Sequence, residues 1–402
     1  MTVDWNGSAL PTSWDSTTSQ LQAQVPASNI ANAGTAAIAV STVTGQETFT
    51  ILSGAGFTFS SVPIEANDMA VDPATGQLYL SVQGSSSANP DTITVLDPSA
   101  GQLGTSVSVG AEADQLAISG DGSYLYAGVD QSGLVQRFTL PSLSKDIAVS
   151  LASGSTPYYA VDVEVAPGAP HTIAVLRGSA GINPVDEGGV AIYDDSVQRP
   201  TTVPGASTGG STDLMNSLQW GAATSALYGE EDGANSDLFS MSVNSGGVQI
   251  TNDYSGAFNT QLGNGPFVLG AKLHFDPGTG YVYSDDGQVV DPSTGTVVGS
   301  FGTSGLLALD STLGYAYSLG QTSAQQGGPD YTLTAYNLTT FANVGSIVLP
   351  SIAGNPVRLL RWGSDGLAIL TNDDNTTPRS PVPGLGVYLI SGTFVTAPSP
   401  QG

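Results

Sequence analysis

Short apolar runs of strand length alternate along most of this chain with polar turns rich in Gly and Pro, and one such unit occurs seven times. The copies are "AVDPATGQLYLSV" from residue 70, "AISGDGSYLYAGV" from 117, "EVAPGAPHTIAVL" from 164 and "QWGAATSALYGEE" from 219. They continue with "HFDPGTGYVYSDD" from 274, "ALDSTLGYAYSLG" from 308 and "RWGSDGLAILTND" from 361. Each has the form of a β-hairpin, two apolar runs around a turn of Gly, Pro, Asp, Ser or Thr, residues that preset or tolerate turn dihedrals. Helical periodicity is missing. A third apolar run follows most hairpins, as in "TITVLDPSAG" and "YTLTAYNLTT", and a weaker fourth leads into the next copy.

Four antiparallel strands repeated at a period of about 40–50 residues are the pattern of propeller blades. Seven blades closed in a ring leave only short, protected edges. The run "FTFSSVPI" (57–64) has no hairpin of its own, and it is expected to complete the last blade as its outer strand.

The "VDPATGQLYLSV" hairpin and the "ITVLDPSAGQ" strand, with looser copies in every blade, resemble the YVTN-type seven-bladed propellers of bacterial and archaeal surface and exported proteins. The resemblance covers about 57–395 and speaks to fold, because propellers host many unrelated functions. Residues 3–51 differ. "WNGSAL", "SQLQAQVPASNIANAGTAAIAV" and the closing run "ETFTI" are similar to the later part of an IPT/TIG immunoglobulin-like domain, whose opening strands would precede Val3. The chain is therefore expected to begin inside a longer modular protein. The expected fold is all-β: a partial Ig-like β-sandwich module at 1–53 and a seven-bladed β-propeller at 54–402. Trp5 and Trp14 are expected to pack the small N-terminal core, with sugar stacking as the alternative. A half sandwich also leaves an edge and an apolar face to cover, by the propeller or by self-assembly.

Composition narrows the function classes. The net charge is −26, yet acidic residues number only 34; the acidity comes from having 8 Lys and Arg. At 10% charged residues, the surface must be built from Ser, Thr, Asn, Gln and Gly. Such a surface offers few trypsin sites and suits an exported protein. A basic footprint for nucleic acid is absent, anionic membranes would repel the chain, and no run is long enough to insert in a bilayer. There is no Cys, which excludes disulfides and thiolate chemistry. "MTVDWNGSAL" lacks the form of a signal peptide, so an export signal would lie upstream. The sequons at Asn6, Asn337 and Asn375 are read as chance, since the resemblance is prokaryotic.

Acidic residues collect in the loops between second and third strands. Asp186, Glu187, Asp237, Asp285, Asp286 and Asp330 are the candidate binding residues there, for a protein or glycan partner. Glu230, Glu231, Asp232, Asp373 and Asp374 are the places where calcium, the one cofactor considered, would find hard oxygen ligands. The residue before each central apolar position gives a second set, Ala70, Ala117, Glu164, Gln219, His274, Ala308 and Arg361, expected on one side of the inner strands. Of these, Glu164, His274 and Arg361 could form an acid–base set, or a hydrogen-bonded network that seals the channel. His171 lies in a hairpin turn and is read as idle. A Ser-His-Asp set has only two histidines to draw on and no G-x-S-x-G elbow. The sequence thus favours a non-enzymatic bacterial protein, extracellular or on the cell surface, that binds or spaces. The alternative is a lactonase or carbohydrate-active hydrolase or lyase working in the channel.

Overall fold

In the repeated turns an Asp carboxylate replaces the missing backbone partners. Asp72 accepts from the Ala74 N–H (2.8 Å) and the Thr75 hydroxyl (2.6 Å), while its carbonyl accepts from the Gly76 N–H (2.8 Å). Gly76 has φ +73°, which a side chain would strain. Asp276, Asp291 and Asp310 repeat the arrangement with Gly280, Gly295 and Gly314. Part of the chain's acidity therefore serves its turns.

The computed structural model describes residues 1–15, 20–23, 25–26, 34–41, 46–51, 57–110, 112–154, 157–179, 187–204, 215–231, 236–258, 271–322, 330–350, 352–372 and 385–398. From residue 57 on, the described residues form seven four-stranded antiparallel sheets. The first contains Ala66–Val71, Leu78–Val82, Thr92–Asp97 and Gln102–Ser108, in that spatial order. The first strands of the next six are Ala113–Ile118, Tyr159–Val165, Met215–Trp220, Leu273–Asp276, Leu306–Asp310 and Asn355–Trp362. Each first strand lies against that of the following sheet, and Asn355–Trp362 returns to Ala66–Val71, so the series closes on itself. The seventh sheet takes its fourth strand from the other end: Phe57–Pro63 pairs with Gly386–Gly392, from Gly386 opposite Pro63 to Gly392 opposite Phe57.

Apolar clusters fill the spaces between consecutive sheets. One joins Ala66, Met69 and Leu80 of the first sheet to Trp362, Ala368 and Leu370 of the seventh. Fully buried tyrosines of the second strands add polar bolts. The Tyr126 hydroxyl donates to the Pro170 carbonyl (2.7 Å) and Tyr283 to Leu338 (2.9 Å), in each case on the next sheet; Tyr317 likewise reaches the Val395 carbonyl.

The described residues between 3 and 51 build a separate four-stranded sheet, in the order Ser8–Ala9, Val3–Trp5, Gly34–Val40, Gln46–Ile51, and a hairpin of Thr12–Asp15 with Gln20–Ala23. Trp5 is buried there with Leu10 and Ala36. Trp14 is not: it stands on the hairpin with 60% of its surface exposed, outside that cluster, so only one of the two tryptophans packs the small core.

Candidate functional site around the central channel

The first strand of most sheets carries a β-bulge near its start, between Ala66 and Asp68, Ala113 and Leu116, Ala160 and Asp162, Met215 and Ser217, and Pro356 and Arg358. A bulge re-aims the residues beside it. Beside these bulges stand Asp68, Gln115, Asp162, Ser217 and Arg358, while Lys272 and Leu306 hold the corresponding places at the starts of the two first strands without one. Three of them share a task that the hydrogen bonds show. Asp68 Oδ2 accepts from the Leu116 N–H (2.9 Å), Asp162 Oδ2 from Leu218 (2.7 Å) and Ser217 Oγ from Leu273 (3.0 Å). A side chain of one sheet thus caps a backbone donor that the next sheet's bulge or strand end leaves free. Lys272 has no acceptor to offer. Asp285, from the turn of the same sheet, replaces it and takes the Leu307 N–H (2.8 Å).

The ring's charges are paired. Arg358 meets Asp68 with Nε at 2.9 Å from Oδ1 and Nη2 at 3.5 Å from Oδ2, joining the last sheet to the first. The Lys272 ammonium lies 2.9 Å from Asp162, two sheets away, and 3.5 Å from the Gln115 amide oxygen. His274 Nε2 is 3.0 Å from Asp285 Oδ1. Glu164 is the exception: among the described residues its carboxyl makes no hydrogen bond or ion pair. Burial, and then the neighbouring Asp162 charge, push its pKa up to about 8 against the pull of Arg358 and Lys272.

Beyond the ring, on the side of the loops between second and third strands, a recess of about 660 Å³ opens among the first, second and seventh sheets. Asn67, Asp91, Glu112, Asp114, Asp130 and Asn372 are among its walls. The Asp114 and Asp130 carboxyls act on each other there. Burial followed by the Asp68 charge pushes Asp114 up to about 6; burial followed by the Asp114 charge pushes Asp130 up to about 7.

The sequence-derived candidates are placed as follows. Asp285 is buried and caps the Lys272 and Leu307 amides. Asp237 is buried and accepts from the Gly256 N–H (2.7 Å), and Asp286 is buried beside Ser284. These three belong to the interior rather than to an open loop face. Glu187 and Asp330 begin strands, with nothing described of their side chains, and Asp186 lies outside the described residues. Glu230 and Glu231 are buried; adjacent on one strand, they point to opposite faces, and the Ser284 hydroxyl donates to Glu230 (2.8 Å). Asp232, Asp373 and Asp374 lie outside the described residues. No group of three or more His, Asp or Glu placed to hold a metal occurs among the described residues.

Arg361 does not join Glu164 and His274. It turns to the sixth sheet, where Nε donates to Asp310 (2.8 Å), and back to the carbonyls of its own hairpin. The reason is register. The seventh hairpin turns tightly, with Trp362 opposite Gly366, so the place equivalent to Glu164 and His274 falls on Leu360, and a slip of one residue reverses the face. His171 Nδ1, at its hairpin turn, lies 2.8 Å from Asp195, whose carboxylate the buried Arg137 engages at 2.6 Å. The ring itself escaped the sequence reading, which stopped two residues short of it. The signal was there in Asp68, Asp162, Lys272 and Arg358, four charged residues just upstream of hairpins in a chain with few charges.

No family model matches the chain, and no curated protein matches it. Solved structures do. The β-propeller domain of Cps50 (Swd1) from Myceliophteria thermophila is 11% identical at a TM-score of 0.55, over 83% of this chain and 99% of that one. The U3-55K structure is 11% identical at a TM-score of 0.56, over 84% and 99%. With its repeated four-stranded sheets and these neighbours, the chain is an all-β protein of the β-propeller fold.

Proposed function

We propose that the chain is a non-enzymatic binding or spacing protein of YVTN type, exported or at a bacterial cell surface. In this reading 54–402 are one seven-bladed propeller and 1–53 a partial IPT/TIG-like module, and the loop face engages a protein or glycan partner. The observation that carries it is how the channel's charges are used. Asp68, Asp162 and Asp285 each hold a cationic or imidazole partner and a backbone N–H of the neighbouring sheet, which is fastening rather than chemistry. The recess at the loop side is a concave polar surface open to a partner. The sparse basic residues and absent Cys fit an exported chain.

The second reading, a hydrolase or lyase working in the channel, is favoured by Glu164 alone, a carboxyl held protonated near neutral pH as a general acid would be. The two separate in one assay. The wild type and Glu164→Gln are offered lactones and p-nitrophenyl glycosides across pH 5–8. The binding reading expects no turnover above the buffer rate. Turnover that Glu164→Gln abolishes and Arg361→Gln retains overturns it.

A further inference from the structure

We propose that the loop-side recess is a glycan site that takes a neutral oligosaccharide of at least two rings, an inference that rests on the binding reading above and commits it to one ligand class. At about 660 Å³ the recess falls within the range of about 300–1,000 Å³ that small-ligand sites occupy. Its walls are joined by their own hydrogen bonds. Asn67 Nδ2 donates to the Ala113 carbonyl (2.8 Å) and Asp91 Oδ1 accepts from the Glu112 N–H (2.9 Å), each tying the first sheet to the start of the second. Other polar heads on the same walls are left over. The Gln131 and Asn372 amides and the Glu112 carboxylate make no hydrogen bond among the described residues. Against the recess lies a smaller pocket of about 160 Å³, which shares Asp130 and Gln131 with it and is lined by Pro157, Tyr158 and Tyr159. The Arg177 guanidinium, 5.2 Å from the centroid of the Tyr158 ring, holds that ring in place.

The ligand class follows from what these walls hold and lack. Among the described residues no Lys, Arg or His lines either pocket, so a phosphate or a uronic acid would meet carboxyls with no cation to balance it. No apolar side chain lines the recess, so an apolar ligand would strip water from amides and acids and give nothing back. A metal ion calls for several acceptors converging on one point, and no group of three or more Asp, Glu or His placed to do so occurs among the described residues. Acceptors and amide donors are instead spread around the wall. That arrangement suits the hydroxyls of a sugar ring, each of which both donates and accepts. The tyrosines next door combine an apolar ring with a polar hydroxyl, which matches a second sugar ring, apolar on one face and polar at its rim.

The test titrates the full chain with cellohexaose, maltohexaose, mannohexaose and N-acetylchitohexaose, with oligogalacturonate as the anionic probe and spermidine as the cationic one. Side-chain amide signals in nitrogen-15 spectra give the place of binding, and calorimetry gives Kd. At least one neutral hexaose is expected to move the Gln131 and Asn372 amide signals, and oligogalacturonate to move neither. The double variant Gln131→Ala and Asn372→Ala, which removes two unspent amides, is expected to weaken that hexaose by about tenfold while leaving the thermal midpoint unchanged. No binding by any neutral hexaose overturns the proposal, as does tighter binding of spermidine or oligogalacturonate at these amides. A neutral hexaose bound equally well by the double variant overturns the site and leaves the binding reading standing. Chromatography of the same samples separates the two: hexaose shortened by the wild type overturns the non-enzymatic reading itself.

Discussion

Tyr79, Tyr126, Tyr283 and Tyr317 occupy equivalent places in four sheets and are fully buried, yet their hydroxyls are not equivalent. Tyr283 donates to the Leu338 carbonyl of the next sheet, whereas the Tyr79 hydroxyl has no hydrogen-bond partner among the described residues and is pushed up to about 12 by burial. Removing a bonded hydroxyl strands its acceptor, while removing an orphan relieves a desolvation cost. Tyr283→Phe is expected to lower stability by about 1–2 kcal/mol, and Tyr79→Phe to leave it unchanged or raise it, as read from urea midpoints. The recess carboxyls make a second residue-scale prediction. Asp114 and Asp130 stand at about 6 and about 7 in the folded chain, against about 3.9 for an unfolded Asp. Between those values the folded state binds more protons than the unfolded one, so stability falls as pH rises from about 4 to 7. Asp130→Asn is expected to flatten that slope; an unchanged slope would show that the pair does not carry it.

At the scale of strands and hairpins, the turns were legible because a few residues settle them: an Asp acceptor at the start and a Gly at positive φ near the end, as in Asp72 and Gly76. The latch was legible too, since 57–64 had strand character and no partner in its own neighbourhood. The seventh register was not. Nothing in "RWGSDGLAIL" announces that its turn is tighter than that of "HFDPGTGYVY", and the pairing of Trp362 with Gly366 moved Leu360 into the place assigned to Arg361. The bulges hid the ring for a related reason. They break the two-residue alternation just where the charged residues stand, so a reading based on alternation cannot carry through them. The corrected register is testable. Leu360 packs against the cluster between the seventh and first sheets, and Arg361 against Asp310. Leu360→Asp, which places a carboxylate against that apolar cluster, is expected to cost about 2 kcal/mol or more. Arg361→Gln is expected to cost about 1 kcal/mol. Equal costs in a denaturation series would argue for the uncorrected register.

Across the whole molecule, one end of the described ring fastens to the other three times. Phe57–Pro63 pairs with Gly386–Gly392, Arg358 grips Asp68, and Trp362 packs with Met69 and Leu80. Removing residues 1–64 is expected to expose the Gly386–Gly392 edge and lower the thermal midpoint, whereas removing 1–53 leaves the latch in place and that midpoint nearly unchanged; equal losses would mean that the latch adds nothing. The central claim is that the channel's charges are fastenings between sheets, and a double-mutant cycle on Asp162 and Lys272 tests it most directly. Lys272→Met leaves Asp162 buried without its ammonium and is expected to cost about 3 kcal/mol. Adding Asp162→Asn removes the stranded charge, so the double variant is expected to be more stable than the sum of the two single losses predicts, by about 1 kcal/mol or more. Strict additivity of the two losses would contradict the account, because it would mean that the pair holds nothing together.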